Sequence, residues 1–386
     1  MKTHPGLQGN PIYLDYNATT PVDPAVLEAM LPYLSTNFGN PSSTHYYGQA
    51  MRQAQGTARD QVAQLLGCDP SEVVFTGCGS ESDTLAIRGA ALALRERGNH
   101  IITQITEHPA ILNVCRSLER LHGFRITYLP VDRDGRVNPA DLEAAIDEQT
   151  VLVSIMHANN ETGTLQPIAE LSEIAHQHGA LFHTDASQSV GKIATVVTEL
   201  GVDLLTVAGH KLYAPKGIGA LYVRWGIQLE PAIYGGGQEG GRRAGTENVA
   251  FTVALGMAAV LAYEQLDNSR VRLQRLRDLF LRRLVQYLPG AVHLNGHTTE
   301  RLPNTLNVSI DGVSGEEVLA ATPQIASSTG SACHEGQTEP SAVLLAMGLS
   351  PERALGAVRL TLGRWSTEDE VEIAARLLAQ SVETLR

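Results

Sequence analysis

The sequence predicts an α/β protein whose large domain is a mostly parallel sheet of seven strands wrapped by helices. From about residue 72, short β-branched runs alternate with amphipathic stretches, which is the pattern of strands joined by crossover helices. Polar and reactive residues gather where the predicted strands end. The alternation stops after about residue 225, which indicates a second, smaller domain of a different kind.

The elements of the large domain follow from these patterns. The predicted strands are Glu72 to Thr76, His100 to Ile105, Arg125 to Val131, Val151 to Met156, Ala180 to Thr184, Asp203 to Val207 and Gly219 to Val223. The predicted helices between the early strands are Glu81 to Arg97, Pro109 to Leu121, Pro139 to Asp147 and Pro167 to Gln177. Three of these helices begin with proline, which suits a first helical turn.

The second half of the chain begins with a loop at 234–245 that is too rich in glycine to bury a core. Long helices follow, then a strand at Asn304 to Ile310, and a last helix that Thr367 and Glu370 would cap with a capping box. We expect residues 15–260 to form the large domain. Residues 1–14 with 261–386 would form a small α+β domain that carries the loop around Cys333.

Composition narrows the function classes. The chain has 386 residues, of which 43% are hydrophobic, and a net charge of -12, which weighs against sequence-independent nucleic-acid binding. The longest apolar run, 250–263, is shorter than the roughly 20 residues of a membrane helix, and no signal peptide is evident. We therefore expect a cytoplasmic protein without a nucleic-acid or membrane partner. The four cysteines show neither metal-site nor disulfide-framework spacing.

Lys211 is one of only four lysines, and it follows a predicted buried strand. An amine can lose its proton and form an imine, whereas a guanidinium cannot. Asp185 ends an earlier strand and could hold the protonated pyridine nitrogen of a cofactor, so that the ring acts as an electron sink. The pair predicts a pyridoxal 5'-phosphate site, although Asp185 could also be a helix cap or an ion-pair partner. Lys216, in a Pro/Gly turn, is the rival amine.

Other polar residues follow neighbouring strands. Gly77 to Ser80 form a glycine-rich helix entry that could hold a phosphate. His108, Asn160 and Gln188 follow other strands. Each has an ordinary explanation as a turn or helix-start residue, but ligands of parallel sheets bind at the carboxyl ends of strands. Their shared position favours one site.

Cys333 lies in a stretch of small residues, 327–337, which predicts an exposed loop. A reactive cysteine is accessible and has neighbours that favour the thiolate. His334 is such a neighbour, although Glu335 opposes it. Cys68 and Cys115 are expected in the core or on helices, and Cys78 as a small filler of the phosphate loop.

Seven motifs, in order along the chain, carry a family resemblance. They are Tyr13 to Thr20, Phe38 to Ser43, Thr106 to His108, Asn159 to Gly163, Gly209 to Lys211, Arg242 to Thr246 and Ser331 to Cys333. In these motifs the chain closely resembles the cysteine desulfurases of the NifS/IscS type, in the aminotransferase class V group of fold-type I pyridoxal-phosphate enzymes.

The resemblance implies a role for each site residue. Lys211 would be the Schiff-base lysine, His108 would lie over the ring and assist proton transfer, and Asp185 would bind the pyridine nitrogen. The remaining implied contacts are Asn160 and Gln188 near the ring 3-hydroxyl, Gly79, Ser80 and His210 around the phosphate, Thr246 on the phosphate of the other subunit of a homodimer, and Arg359 with Asn160 on the substrate carboxylate.

The implied activity converts L-cysteine to L-alanine and leaves the sulfur on Cys333 as a persulfide, for an acceptor such as an iron–sulfur scaffold protein. Cys333 could then contact an iron–sulfur cluster transiently. Three departures qualify the resemblance. Ala208 stands where many relatives place a hydroxyl toward the phosphate. The sequence stops at Arg386, soon after the last predicted helix, whereas the housekeeping branch of the family continues into a tail used in docking an iron–sulfur scaffold, so transfer to such a scaffold is less expected. Cys333-His334 resembles the selenocysteine lyases. Selenocysteine lyase and a non-enzymatic sulfur carrier on the same scaffold are the alternatives.

Overall fold

The computed structural model describes residues 4–330 and 339–386, so Cys333 and His334 lie outside the described residues. The strands are β1 (Ile12–Tyr13), β2 (Val73–Thr76), β3 (His100–Gln104), β4 (Arg125–Leu129), β5 (Thr150–Ser154), β6 (Leu181–Asp185), β7 (Leu204–Ala208), β8 (Gly219–Val223), β9 (Val292–Leu294), β10 (Thr305–Ile310), β11 (Ile325–Ala326) and β12 (Ala357–Thr361).

The α-helices are α1 (Pro24–Met30), α2 (Pro32–Ser35), α3 (Tyr46–Leu66), α4 (Gly79–Ala93), α5 (Pro109–His122), α6 (Pro139–Ala145), α7 (Ile168–Gln177), α8 (Val197–Leu200), α9 (Val249–Tyr287), α10 (Gly315–Ala320), α11 (Ala342–Ala346), α12 (Pro351–Leu355) and α13 (Glu368–Leu385). Short 3₁₀ helices cover Pro5–Leu7, Pro70–Glu72, Gly209–Lys211 and Gln238–Gly241.

The main sheet has seven strands in the order β2-β8-β7-β6-β5-β3-β4. Strand β8 is antiparallel to both of its neighbours, and the other pairs are parallel. The predicted mostly parallel sheet is confirmed, with strand ends that differ from expectation by one or two residues. Pro167 precedes its helix as the N-cap instead of lying in the first turn.

Both faces of this sheet are covered by hydrophobic side chains. Neighbouring residues of a strand point to opposite faces, so the clusters to which they belong identify the two faces. Val153 of β5 and Leu205 of β7 pack into one hydrophobic cluster, while Leu152 and Leu204 pack into another on the opposite face. Burial on two sides explains why these strands are apolar throughout instead of alternating with polar residues.

Helix α9 is a single helix of 39 residues where the sequence predicted several. Leu255 belongs to the cluster under the main sheet, whereas Phe280 belongs to a second cluster with β10, β12 and α13. Small residues allow close packing, since a Cβ on Gly256 would lie 2.7 Å from the Ala58 Cα of α3. Among the described residues, α9 alone is long and apolar enough to cross a membrane, and half of its apolar window is buried in the core.

The second cluster lies on an antiparallel sheet with the order β12-β10-β9. Strand β1 pairs with β11, and Asp15 then bridges to Thr361 at the end of β12. The N-terminal segment therefore runs between this small sheet and the carboxyl edge of the main sheet.

The capping box of α13 is confirmed. Thr367 Oγ1 accepts a hydrogen bond of 3.2 Å from the Glu370 N–H, and Glu370 Oε2 accepts one of 2.9 Å from the Thr367 N–H. These bonds satisfy two donors that a helix start otherwise leaves free.

We expect Thr367→Ala to lower the free energy of unfolding by about 1 kcal/mol, because it removes the N-cap acceptor. Urea denaturation followed by circular dichroism measures this loss. Thr384→Ala is the matched control, since the Thr384 hydroxyl bonds only the Gln380 carbonyl in the last turn of the same helix. An equal loss in both variants would contradict the role of the cap.

Candidate active site

A cavity of about 230 Å³ lies at the carboxyl edge of the main sheet. Eight of the residues predicted from the sequence line it: Gly79, Ser80, His108, Asn160, Asp185, Gln188, His210 and Lys211. Cys78, expected in the phosphate loop, also lines the cavity, together with residues that had no predicted role, among them Asp83, Met156 and Ser187. The expected meeting of these side chains at one edge is therefore observed.

Lys211 ends the short 3₁₀ helix that follows β7. Its Nζ donates a hydrogen bond of 2.9 Å to the backbone carbonyl of Asn17. Burial lowers the pKa of the amine to about 8; the Asp185 carboxylate opposes this shift, and the Arg359 guanidinium adds to it. The neutral, nucleophilic form of the amine is thus accessible close to neutral pH.

Asp185 is the last residue of β6 and is only 7% exposed. Its Oδ1 accepts a 2.8 Å hydrogen bond from the Ser187 N–H, and it forms no ion pair with any residue of 4–330 or 339–386. Two further carboxyls, Asp83 and Glu107, are buried nearby. Burial raises the pKa of Asp83 well above its usual value and that of Glu107 to about 8, so both are favoured in the protonated form.

His108 both starts a helix and lines the cavity. As the N-cap of α5, it accepts a 3.1 Å hydrogen bond from the Ala110 N–H through Nδ1. Burial lowers the pKa of its imidazole, an effect that Asp185 opposes and Lys211 reinforces. In the neutral ring the proton consequently lies on Nε2, because Nδ1 is the acceptor.

The start of α4 has the features of an anion site. Its N-cap, Cys78, makes no side-chain cap, so the first N–H groups of the helix remain available to a ligand. A Cβ on Gly79 would lie 3.1 Å from the Ala208 Cβ and 3.3 Å from Ser187 Oγ, so glycine allows this close approach. His210 lies at the same end, where burial and Lys211 lower its pKa to about 4.

The two neighbouring asparagines have different tasks. Asn159 Oδ1 accepts from the N–H groups of Glu161 and Thr162, at 2.9 and 3.0 Å, which is turn chemistry. Asn160 lines the cavity, and its carbonyl accepts from Asn17 Nδ2 and from Arg359 Nη1, both at 3.2 Å.

Arg359 lies in β12, beside the cavity and outside its lining. Its Nη2 donates to Asp15 and to Ser328, each at 2.8 Å. The Nε atom is buried and has no hydrogen-bond partner among the described residues. The guanidinium is therefore fixed in place with one donor unused.

Thr246 does not lie in this cavity. It lines a separate cavity of about 180 Å³ together with Gly77 and Arg243. Glu81 connects the two regions, because its carboxylate accepts from the Gly77 N–H and from Arg243 Nε, both at 2.7 Å. Cys333, the remaining predicted site residue, lies outside the described residues.

Asn17 and Lys192 support the cavity from outside its lining, and neither has a site role predicted from the sequence. The Asn17 carbonyl accepts from Lys211 and, at 3.0 Å, from Gln188 Nε2. Lys192 Nζ donates to Gln188 Oε1 at 2.9 Å. The scarcity of lysine and the four-residue spacing from Gln188 could have indicated Lys192. No set of three or more potential metal ligands occurs within 4–330 and 339–386.

Comparison with known proteins agrees with this geometry. Residues 12–373 match the aminotransferase class-V family. The chain is 48% identical to cysteine desulfurase IscS of Dictyoglomus turgidum, over 97% of this chain and 95% of the relative. It is 46% identical to cysteine desulfurase IscS of Klebsiella pneumoniae, over 97% of this chain and 94% of the relative.

Two solved structures are similar over nearly the whole chain. A NifS-like protein superposes with a TM-score of 0.91 at 36% identity, covering 97% of this chain and all of the other. The structure of SspA in complex with cysteine gives a TM-score of 0.82 at 38% identity, covering 92% of this chain and all of the other. These similarities extend far beyond the cavity.

The chain therefore belongs to the aminotransferase class-V family, with the fold of the fold-type I enzymes. Within that family, it belongs with the cysteine desulfurases. Members of the family depend on pyridoxal 5'-phosphate.

We expect the Lys211 amine to react with a neutral acylating reagent with a pH midpoint near 8, since its pKa lies near that value. Peptide mass spectrometry across pH, on protein freed of cofactor, measures the modified fraction. Asp185→Asn should move the midpoint to lower pH, because the Asp185 carboxylate raises the pKa of the amine.

Asp147→Asn is the control, since Asp147 is an exposed carboxylate paired with Arg125. It should leave the Lys211 midpoint unchanged. A midpoint for Lys211 near 10.5, the ordinary value for lysine, would show that burial does not lower the pKa of this amine.

Proposed function

We propose that this protein is a cysteine desulfurase that holds pyridoxal 5'-phosphate in the cavity and converts L-cysteine to L-alanine, with transfer of the sulfur to Cys333. The observation that carries the proposal is the buried Lys211 amine, with its pKa lowered to about 8, in one cavity with Asp185. The two relatives described above, whose alignments cover 97% of this chain, are cysteine desulfurases.

The residues of the cavity fit this cofactor. The uncapped start of α4 offers N–H groups to a phosphate, and Gly79 keeps the approach open. Ala208 offers no hydroxyl, which removes one hydrogen bond of about 1 kcal/mol. Asp185, at the end of β6, offers a carboxylate to a pyridine nitrogen. When bound, the cofactor supplies an electron sink for negative charge at the substrate Cα.

Proton movement falls to two residues of the chain. Lys211 takes the Cα proton and later returns a proton to the product, a task that requires an amine that is neutral near physiological pH. His108 would present Nε2–H to the cavity, so it can donate a hydrogen bond to a negative charge that develops there. Its lowered pKa keeps the imidazole in this neutral form.

Orientation of the substrate falls to Arg359 and Asn160. Arg359 is held by Asp15 and Ser328 beside the cavity, where its guanidinium would pair with the substrate carboxylate. A guanidinium fixed in advance loses little conformational freedom when the substrate binds. The amino acid would thus be held with its Cα toward Lys211.

Sulfur transfer requires a thiolate that attacks the sulfur of cysteine. The new bond joins Cys333 Sγ to the substrate sulfur, and the bond from that sulfur to the substrate Cβ breaks. After protonation the products are L-alanine and a Cys333 persulfide. We propose that a sulfur-acceptor protein, such as an iron–sulfur scaffold, takes this sulfur in the cytoplasm.

A homodimer is proposed as the active unit. Phe38 and Tyr47 stack with ring centroids 5.0 Å apart, and Tyr46 lies against Tyr47. Tyr46 is 79% exposed and Phe38 is 64% exposed, so these rings form an apolar surface suited to a second copy of the chain. Thr246, outside the main cavity and on a loop tied to α4, would then serve the phosphate of the partner subunit.

Selenocysteine lyase remains the second candidate because of the Cys333-His334 pair. A lyase of that kind largely rejects cysteine. Turnover of L-cysteine at a rate similar to that of L-selenocysteine therefore excludes it, and alanine release from each of the two amino acids measures both rates.

Cys333→Ala should bind the cofactor as the unchanged protein does but release no sulfide from L-cysteine with a reductant, because no thiolate is present to take the sulfur. Alanine and sulfide assays measure turnover, and mass spectrometry of the unchanged protein should find one added sulfur on the Cys333 peptide.

Cys78→Ala is the control, since Cys78 is an exposed thiol at the cavity. It should retain sulfide release. Undiminished sulfide release by Cys333→Ala, or added sulfur on the Cys78 peptide alone, would contradict the assignment of Cys333.

A further inference from the structure

Lys192 is a buried lysine to which the proposed reaction gives no task. It is 7% exposed, and its Nζ donates to Gln188 Oε1 at 2.9 Å and to Asn17 Oδ1 at 3.3 Å. No carboxylate of the described residues forms an ion pair with it. Burying an amine without an anionic partner costs free energy of folding. The two hydrogen bonds of Lys192 offset part of this cost, and the presence of a lysine here calls for a functional explanation.

Lys192 does not line the cavity, and its amine instead contacts Gln188, which does line it, and Asn17. It therefore cannot replace Lys211 as a nucleophile toward a ligand there. Its effect on the cavity has to pass through these two neighbours. Burial lowers the pKa of this amine well below its usual value, and Lys211 and Arg359 contribute to the same shift.

The amide of Gln188 has two possible orientations that differ by exchange of its oxygen and nitrogen. A lysine amine at 2.9 Å offers hydrogen atoms, so the amide oxygen faces Lys192. The amide nitrogen then faces the other way and donates to the Asn17 carbonyl at 3.0 Å. The reversed amide would place its oxygen against the Asn17 carbonyl oxygen, which is unfavourable, and would lose the hydrogen bond from the amine to Oε1.

We propose that Lys192 is a positioning residue: it holds the Gln188 amide with its oxygen toward Lys192 and its nitrogen toward the Asn17 carbonyl, which leaves the second N–H of that nitrogen for a ligand in the cavity. The proposal rests on the proposed function, because an acceptor oxygen on a bound pyridoxal phosphate is what such a donor would serve. Lys192 also bonds the side chain of Asn17, whose carbonyl holds Lys211. One buried amine thereby orients a donor to the cofactor and supports the acceptor of the reactive lysine.

A purely structural role for Lys192 makes a different prediction. If its methylene stem only filled space, an apolar side chain of equal length would replace it. Lys192→Met keeps that length and removes the donors. Gln188→Leu removes the amide itself, and the double variant shows whether Lys192 acts through Gln188.

The experiment titrates pyridoxal phosphate into the full-length protein freed of cofactor and records its dissociation constant and visible absorption maximum. Lys192→Met should weaken binding by about 10-fold, the size expected for one hydrogen bond. It should also shift the absorption maximum, as Gln188→Leu should. The double variant should match Gln188→Leu, because the amide through which Lys192 acts is already absent.

Ser189→Ala is the matched control, since Ser189 is buried beside Gln188 and its hydroxyl bonds only the Ala186 carbonyl. It should retain the affinity and absorption maximum of the unchanged protein. Should Lys192→Met fail to fold, Lys192→Arg tests the same point, because a guanidinium also only donates. It should keep the unshifted absorption maximum.

Three results would overturn the positioning role: unchanged affinity and absorption in Lys192→Met, additive losses in the double variant, or a shifted maximum in a folded Lys192→Arg. Failure of the proposed function would give a different experimental result. The unchanged protein would then bind no pyridoxal phosphate, or would bind it and release no sulfide from L-cysteine.

Discussion

The backbone carbonyl of Asn17 accepts hydrogen bonds from both Lys211 Nζ and Gln188 Nε2, and the candidate site depends on this one oxygen. The same residue bonds Thr305 of β10 at 2.9 Å through Nδ2 and Thr361 of β12 at 3.1 Å through its N–H. A single asparagine in the N-terminal segment thus connects the small sheet to the carboxyl edge of the main sheet. The reactive amine is held where both sheets meet.

Burial gives this arrangement its chemistry. The amine of Lys211, the imidazole of His108 and the carboxyl of Glu107 are all shifted toward their neutral forms, chiefly by loss of water. A neutral amine can accept a proton near pH 7, which a protonated lysine cannot do. A protonated carboxyl can donate one, which an ionised glutamate cannot do. Beside the cavity, Arg359 forms an ion pair with Asp15 at 2.8 Å.

The main sheet and most of the cavity lining could be predicted from the sequence, because hydrophobic periodicity marks the strands and polar residues mark the strand ends. Apolar runs predicted the strands, and the residue after each run predicted which side chains meet. The continuity of α9 could not be predicted, because the apolar pattern is interrupted over residues 264–272, which are mostly polar and none of which is buried, while the two ends of the helix pack into different hydrophobic clusters. The part played by Asn17 could not be predicted, because it lies in hydrogen bonds to Gln188, Lys192 and Lys211 across 171 to 194 residues of chain, which no local pattern encodes. Lys192 lies only four residues from Gln188, but the burial of its amine depends on the folded structure. The roles of Cys333 and Thr246 stay predictions.

The central claim is that Lys211, alone among the lysines, is the amine that bonds the cofactor. Its most direct test is to load the protein with pyridoxal phosphate, reduce it with borohydride, and locate the modified lysine by peptide mass spectrometry. The account predicts one pyridoxyl group per chain, on Lys211, with the visible absorption band lost on reduction. A label on Lys192 or Lys216, or no stable label at all, would contradict it.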